Sequence, residues 1–376
     1  MGGYFLYHSI GMFPGKAERV AAATTEFATR WGTPDDAQWA YSLDVRQRFL
    51  ERWTRLIEAP PGTLTTSENV TTALYSVIGS LPRGYLEGRK VLIAADCFPS
   101  LHFLLAGLAK RRGFELVTVA ARPGENWVRD EDFIACWGPE VGVALVTWVT
   151  STTSHRTELN ALIEYGRAMG SLVGIDITQG IGILPFDVSA IQPDFVVSSS
   201  LKWLCGVSGA GILQVREPLL QQCQPELRGW FSQENAFSWS LDHFEYARDA
   251  RRFDHGTPSV LAYAASLPAL EWHAQQDPMA LWAHNQRLVE VLMAGCTALE
   301  LDLVSPRRAD ERGGSVMFRV AEGIDARAIV DALRERQIHI DARGSVLRFS
   351  PGNMTTIEGV EKLLRELRAA LRLAAR

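Results

Sequence analysis

Apolar side chains recur three and four residues apart near the start of the chain. Trp39, Leu43, Phe49, Leu50, Trp53 and Leu56 share one face of a helix predicted over roughly 34–59. Pro60-Pro61-Gly62 ends it. The pattern then changes to short apolar runs separated by amphipathic stretches. Strands are expected at 91–95 (VLIAA), 115–120 (ELVTVA), 141–149 (VGVALVTWV), 171–175 (SLVGI), 194–198 (DFVVS) and 211–215 (GILQV). Helices are expected from about Pro99 and between the third and fourth of these runs, to about Met169. Continuous apolar strands alternating with helices predict an α/β fold, a mostly parallel sheet covered on both faces.

Beyond about Pro268 the rhythm changes. A helix over 278–298, a strand at 315–320, a helix at 326–336, strands at 338–341 and 347–350 and a final helix from about Thr356 predict a smaller α+β domain. The expected organisation is an N-terminal segment (1–20), a large domain (21–268) and a small domain (269–376). Segment 222–254 is aromatic-rich and irregular, as loops around functional sites often are.

With 376 residues, 47% of them apolar, the chain has ample material for such a core. Its net charge of −5 and pI near 6.0 give no sign of a nucleic-acid or anionic-membrane partner. Five scattered cysteines form neither a CxxC pair nor a metal-spaced cluster, so no metal is expected and a reducing cytoplasm fits best. The first residues, MGGYFLYHSIGMFPG, lack the basic and apolar regions of a signal peptide, and no run approaches membrane length.

Three segments carry chemistry. In SSSLKWLCGVSGAG (198–211), Lys202 follows an apolar strand and precedes three glycines. A lysine there, at the strand end where α/β enzymes keep their reactive groups, can attack an aldehyde once neutral. In GIDITQG (174–180), Asp176 ends a strand and Gln179 lies three residues on. A carboxylate there holds a pyridinium nitrogen protonated, or simply caps a helix. In SENVTTALY (67–75), small polar residues open a helix, and the free N–H groups around Asn69, Val70 and Thr71 suit a phosphate as well as a plain cap.

The order of a polar phosphate-binding turn, Asp-x-x-Gln and then Ser-x-x-Lys-Trp-Leu resembles the class V aminotransferase group, with its kynureninase-like branch nearest. The likeness extends over nearly the whole chain. It implies the fold-type I architecture of pyridoxal 5'-phosphate (PLP) enzymes, with Lys202 as the Schiff-base lysine and Ser199 beside the cofactor. DCFPS (96–100) is similar to the segment whose Phe stacks on the PLP ring, here Phe98. Asp176 and Gln179 would face the ring nitrogen and hydroxyl. HSIGMFP (8–14) resembles the segment at the active-site mouth, placing His8 and Ser9 near the substrate. RGWF (228–231) resembles the Gly-Trp loop that approaches the PLP phosphate, here through Trp230. HGTPS (255–259) resembles a turn whose Thr, here Thr257, reaches the phosphate in the partner subunit of a homodimer. DARGSVLRFSP (341–351) resembles the strand whose Arg, here Arg348, clamps the substrate α-carboxylate.

The chain departs from kynureninase proper at three places. Leu201 stands where a Tyr precedes the lysine, Ser154 where Gly follows Thr153, and Thr257 where Asn is usual. Segment 337–347 has no cysteine, which argues against a desulfurase. The resemblance implies an enzyme acting on an α-amino acid, with side-chain cleavage or β-elimination favoured over transamination or epimerisation. A catalytically silent protein of the same fold is disfavoured by the presence of Lys202, Asp176 and Arg348 together. His155, His255 and His273 are read as packed or surface residues.

Overall fold

The computed structural model describes residues 2–374. Two helices, α1 (Lys16–Gly32) and α2 (Gln38–Leu56), precede the first strand, β1 (Leu64–Ser67). The large domain continues through α3 (Val70–Ile78), β2 (Lys90–Ala94), α4 (Pro99–Arg112), β3 (Glu115–Val119), α5 (Asp130–Ala135), β4 (Val141–Thr147) and α6 (Leu159–Met169). It then runs through β5 (Leu172–Asp176), α7 (Val188–Ile191), β6 (Phe195–Ser199), β7 (Gly211–Val215), α8 (Glu217–Leu220) and α9 (Val260–His273). The small domain comprises α10 (Pro278–Thr297), β8 (Asp302–Leu303), β9 (Val316–Arg319), α11 (Ala326–Glu335), β10 (Asp341–Arg343), β11 (Val346–Phe349) and α12 (Ile357–Ala374).

The seven strands of the large sheet lie in the order β1-β7-β6-β5-β4-β2-β3. β3, β2, β4, β5 and β6 are parallel, and β7 runs antiparallel to both of its neighbours. Every residue of β4, β5, β6 and β7 is buried, which is why these runs read as continuously apolar. The topology decides where the chemistry collects. β1 is antiparallel to β7 and therefore parallel to β6, so the C-terminal ends of β1, β2, β5 and β6 share one rim. The Asn69 turn, Phe98, Asp176 and Lys202 follow those four ends directly.

The small domain is an antiparallel sheet, β10-β11-β9-β8, packed with α10, α11 and α12 around Phe318, Phe349, Leu333 and Leu363. Phe5 belongs to this core. The N-terminal segment is laced to the small domain in parallel fashion, Tyr4 bridging His339 and Leu6 bridging Ser350. It then crosses to the large domain, where the Gly11 N–H donates to the Leu201 carbonyl at 3.0 Å. A side chain on Gly11 would collide with the Lys202 carbonyl oxygen, so this crossing needs glycine.

Two differences from the sequence expectation concern boundaries. The region before residue 34 contains a separate helix, α1, none of whose residues is buried; its large apolar side chains are few, Val20, Phe27 and Trp31. The chain also does not break at Pro268, which is buried inside α9. Tyr263, Leu267 and Leu270 on that helix pack into the large-domain core, whereas Leu288, Val289 and Leu292 on α10 pack into the small-domain core.

Candidate active site

Lys202 stands just past the end of β6, and its Nζ lies 5.2 Å from the centroid of the Phe98 ring. Among the described residues, that nitrogen has no hydrogen-bond or ion-pair partner. Burial pushes its pKa down to about 8; the Arg348 charge adds to the shift and Asp176 opposes it. A recessed, unpaired amine that loses its proton this readily is a competent nucleophile for an aldehyde.

Asp176 is buried at the end of β5. Its Oδ1 accepts both the N–H (2.9 Å) and the hydroxyl of Thr178, whereas Oδ2 has no partner among the described residues. One oxygen is thus fixed and the other left as an open acceptor. Burial raises the Asp176 pKa, against the Thr178 bonds and the Lys202 charge, so an N–H cation facing Oδ2 would be strongly held. Neighbouring Gln179 is buried, but its amide donates to the His8 carbonyl at 3.1 Å. It anchors the N-terminal segment as well as facing the rim.

At the end of β1, Asn69 caps α3: its side chain accepts the Thr72 N–H at 3.0 Å, and the Thr72 hydroxyl oxygen accepts the Asn69 N–H at 3.3 Å in return. The N–H groups of Val70 and Thr71 have no protein partner among the described residues, as an anion-binding helix start requires. Ser199 pairs with Gly211 across the β6–β7 ladder. A Cβ on Gly211 would come within 2.7 Å of the Ser198 carbonyl and 3.2 Å of the Ser67 carbonyl, so only glycine lets β7 lie this close to the turn. Among the described residues, the buried hydroxyls of Ser198 and Ser200 have no hydrogen-bond partner. An unpaired amine, an open carboxylate oxygen, a free helix start and an exposed aromatic face on one rim fit a phosphorylated pyridine aldehyde.

Arg348, on β11, reaches this rim from the small domain. Its guanidinium donates to the Ser151 carbonyl at 2.9 Å and to Asp341, while its Nε is buried without a partner. His8 is also buried, with Nδ1 2.7 Å from the Ser350 hydroxyl and Nε2 3.3 Å from Asp341. Burial drops the His8 pKa to about 4, with the Arg348 and Lys202 charges adding and Asp341 opposing, so His8 is neutral at ordinary pH.

The structure thus gathers Lys202, Asp176, Gln179, Phe98, Ser199, the Asn69–Thr71 turn, His8 and Arg348. Ser9 is exposed beside His8. Trp230 belongs to a different cluster, edge-on to Trp39, Phe231 and Phe237, and Thr257 is exposed in the turn before α9. His155 stacks on Trp127 and His273 bonds the Trp203 carbonyl, both as packed residues. Ser154 has φ +63°, a left-handed conformation that explains why glycine suits this position. No helix among the described residues is long and apolar enough to cross a membrane, and no metal-binding cluster of His, Cys, Asp or Glu occurs among them.

The sequence profile of the family described as aminotransferase class-V matches residues 50–363. The chain belongs to this family. Class V proteins use PLP, and this one is a PLP-dependent enzyme. A kynureninase from Monosiga brevicollis is 25% identical, with the alignment covering 99% of this chain and 87% of that one. Isopenicillin N epimerase from Streptomyces clavuligerus is 28% identical over 83% of this chain and 81% of its own. Among solved structures, a cysteine desulfurase from Thermococcus onnurineus NA1 superposes with a TM-score of 0.86 at 18% identity, covering 98% and 94% of the two chains. The cystine C–S lyase C-DES, solved with cysteine persulfide, gives a TM-score of 0.87 at 22% identity, covering 98% and 97%. At these identities the two solved structures establish the class V fold of this chain.

Two features of this class V site had no sequence signal. One is Asp341, the cross-strand neighbour of Arg348. The other is a buried clamp in which Arg46 on α2 donates to both oxygens of Asp254 (2.7 and 2.8 Å) and to Thr65 and Thr66 on β1. The clamp ties the strand leading into the Asn69 turn to the segment entering the Thr257 turn. Arg46→Ala strands the buried Asp254 carboxylate and is expected to cost about 3–5 kcal/mol of stability. A denaturant midpoint within error of the native protein's would show that the clamp contributes nothing.

Proposed function

We propose that this enzyme acts on an α-amino acid and breaks a side-chain bond, by hydrolytic Cβ–Cγ cleavage or by β-elimination. The observation that supports it most is the convergence of an unpaired lysine amine and a buried arginine with an unsatisfied Nε on one rim. Together they suit a molecule that carries an amine and a carboxylate on the same carbon. The likeness to kynureninases, and the packing of the His8 segment against Gln179, favour chemistry at the side chain.

PLP, when bound, supplies the electron sink that makes bonds around Cα labile. The protein's part is positional and protonic. Lys202 would hold the cofactor's aldehyde carbon and, when free, would move the proton at Cα. Asp176 Oδ2 would face the ring nitrogen, and Phe98 would lie against the ring. The Val70 and Thr71 N–H groups, with Asn69 and Ser199, would hold the phosphate. Gln179 would serve the ring hydroxyl, Arg348 would bind the carboxylate, and His8 and Ser9 would line the substrate's side.

We further infer a homodimer in which Thr257 reaches the neighbouring subunit's phosphate site, with Trp230 near the phosphate. Trp31, Trp39, Phe237 and Trp239 are exposed around Trp230, a surface that a second subunit would cover. Mixing inactive Lys202→Ala subunits with inactive Thr257-loop variants then restores some activity; an active monomer at high dilution removes the idea.

The reaction is decided by incubation with a panel of amino acids. Release of ammonia or a cleaved side chain supports the proposal. A keto acid formed catalytically only when a 2-oxo acid is added as amino acceptor, with that acceptor converted to its amino acid, indicates a transaminase, and loss of optical activity alone an epimerase. The low pKa of Lys202 adds a pH dependence. Attack needs the neutral amine, so cofactor uptake by the apoprotein should speed up as pH rises through about 8 and level off above it. A flat uptake rate through that range would show that the amine is not the attacking group.

A further inference from the structure

Arg348 is useful to a carboxylate only if its guanidinium is already aimed, because an arginine that must be ordered on binding loses affinity to side-chain entropy. One residue does most of the aiming. Asp341 faces Arg348 across the β10–β11 ladder, and its Oδ2 takes a guanidinium N–H of Arg348 on one side and the His8 Nε2–H on the other. Its Oδ1 accepts from Arg343 at 3.1 Å and from the Ala342 N–H at 2.7 Å. Four donors thus surround one carboxylate, leaving it little capacity to receive the substrate directly. Partial burial opposes its ionisation, yet the bonds from His8 and Arg348 hold its pKa far below the usual carboxylate range.

The arrangement continues on both sides. The Ser315 hydroxyl lies 2.6 Å from that of Ser350, and the Ser350 hydroxyl lies 2.7 Å from His8 Nδ1. With Ser350 donating to Nδ1, the His8 proton must sit on Nε2, facing Asp341. Beyond Asp341, Arg348 reaches the Ser151 carbonyl, in the loop after β4 of the large domain. The row Ser315–Ser350–His8–Asp341–Arg348–Ser151 therefore joins the small domain, the N-terminal segment and the large domain. Each terminal nitrogen of Arg348 spends one N–H, which leaves a second N–H on each and the Nε–H, unpartnered among the described residues.

We propose that Asp341 is a positioning residue: it presets Arg348 for the substrate carboxylate and, through His8, makes that setting depend on a seated N-terminal segment. The proposal rests on the reading of Arg348 as the carboxylate-binding group. The test uses the holoenzyme and two probes, L-alanine and ethylamine, which share an amine and a methyl group and differ by the carboxylate. Their dissociation constants are measured by titrating the visible absorption of the bound cofactor, and again by calorimetry. Asp341→Asn should weaken L-alanine by about tenfold or more, a coupling within the range of groups in one hydrogen-bond network, and leave ethylamine within about twofold. Asp341→Glu, which keeps the charge but displaces it, should fall between, and it carries the same test if the asparagine variant does not fold. In an Arg348→Lys background, Asp341→Asn should add less than about twofold, because the two act as a unit. Equal weakening of both probes would mean a merely structural role and overturn the proposal. So would unchanged L-alanine binding in both Asp341 variants when Arg348→Lys has lost it, a result that leaves the Arg348 reading standing. If Arg348→Lys itself still prefers L-alanine as the native enzyme does, the carboxylate reading fails and Asp341's role falls with it.

Discussion

Lys202→Ala should yield a folded protein that takes up PLP only reversibly, with no cofactor fixed to the chain by borohydride. Turnover should fall by at least on the order of 10²–10⁴-fold, the usual contribution of a positioned proton-transfer group, even before lost attachment is counted. The reasoning is local. Among the described residues no second lysine shares this rim, and the other recessed one, Lys16, is engaged with the Gly11 and Gly206 carbonyls at 2.7 and 3.1 Å. Lys202→Arg should fail as well, because a guanidinium stays protonated and cannot attack an aldehyde. Near-native turnover by the alanine variant would end the assignment. Reversible cofactor binding without borohydride fixation in the native protein would end it equally.

Arg348→Lys is expected to raise the KM for amino acids strongly while leaving the bound-cofactor spectrum intact. Lysine keeps the charge but loses the planar fork that presents two parallel donors to a carboxylate. Disturbing a buried, hydrogen-bonded charge contact costs about 2–5 kcal/mol, or roughly 30-fold and upward in affinity. The native geometry adds a second reason. Arg348 also spans the two domains through Ser151, and a single ammonium would have to reach Asp341, that carbonyl and a ligand from one point rather than from a planar fork. The measurement is a KM and kcat pair for an amino acid alongside the affinity of an amine without the carboxylate. Loss of fold or cofactor would mark Arg348 as a structural ion-pair partner. A native preference for simple amines would remove the α-amino-acid substrate altogether.

The parts of the site legible in the sequence are those that follow strand ends. Lys202, Asp176 and Phe98 each come directly after a continuous apolar run, and such runs lie inside a parallel sheet whose ends define a rim. Arg348 was visible as a charge within an apolar strand. What the sequence hid depends on register and distance. Asp341 looks like the last residue of a strand until β10 and β11 are aligned, and only then does it face Arg348. Arg46 and Asp254 are 208 residues apart, so nothing local distinguishes either from a solvated charge. Helix α1 carries many small side chains and few large apolar ones. The change of rhythm near Pro268 marked a boundary there, yet α9 continues past the proline among well-packed neighbours. Trp230 packs against Trp39, Phe231 and Phe237 and Thr257 is exposed, so neither joins the Lys202 rim within this chain.

The path of the N-terminal segment has a consequence for the order in which the molecule is made. Tyr4 and Leu6 pair with His339 and Ser350, nearly the whole length of the chain away. At synthesis rates of about 5–20 residues per second, those partners leave the ribosome roughly 20–70 s after the residues that await them. The large sheet has its strands in hand much earlier. His8 cannot reach Asp341, nor Arg348 its setting, until the last strands of the small domain exist. The rim therefore becomes available in order of synthesis: the strand ends that carry Phe98, Asp176 and Lys202 are made well before the strands that carry Asp341 and Arg348.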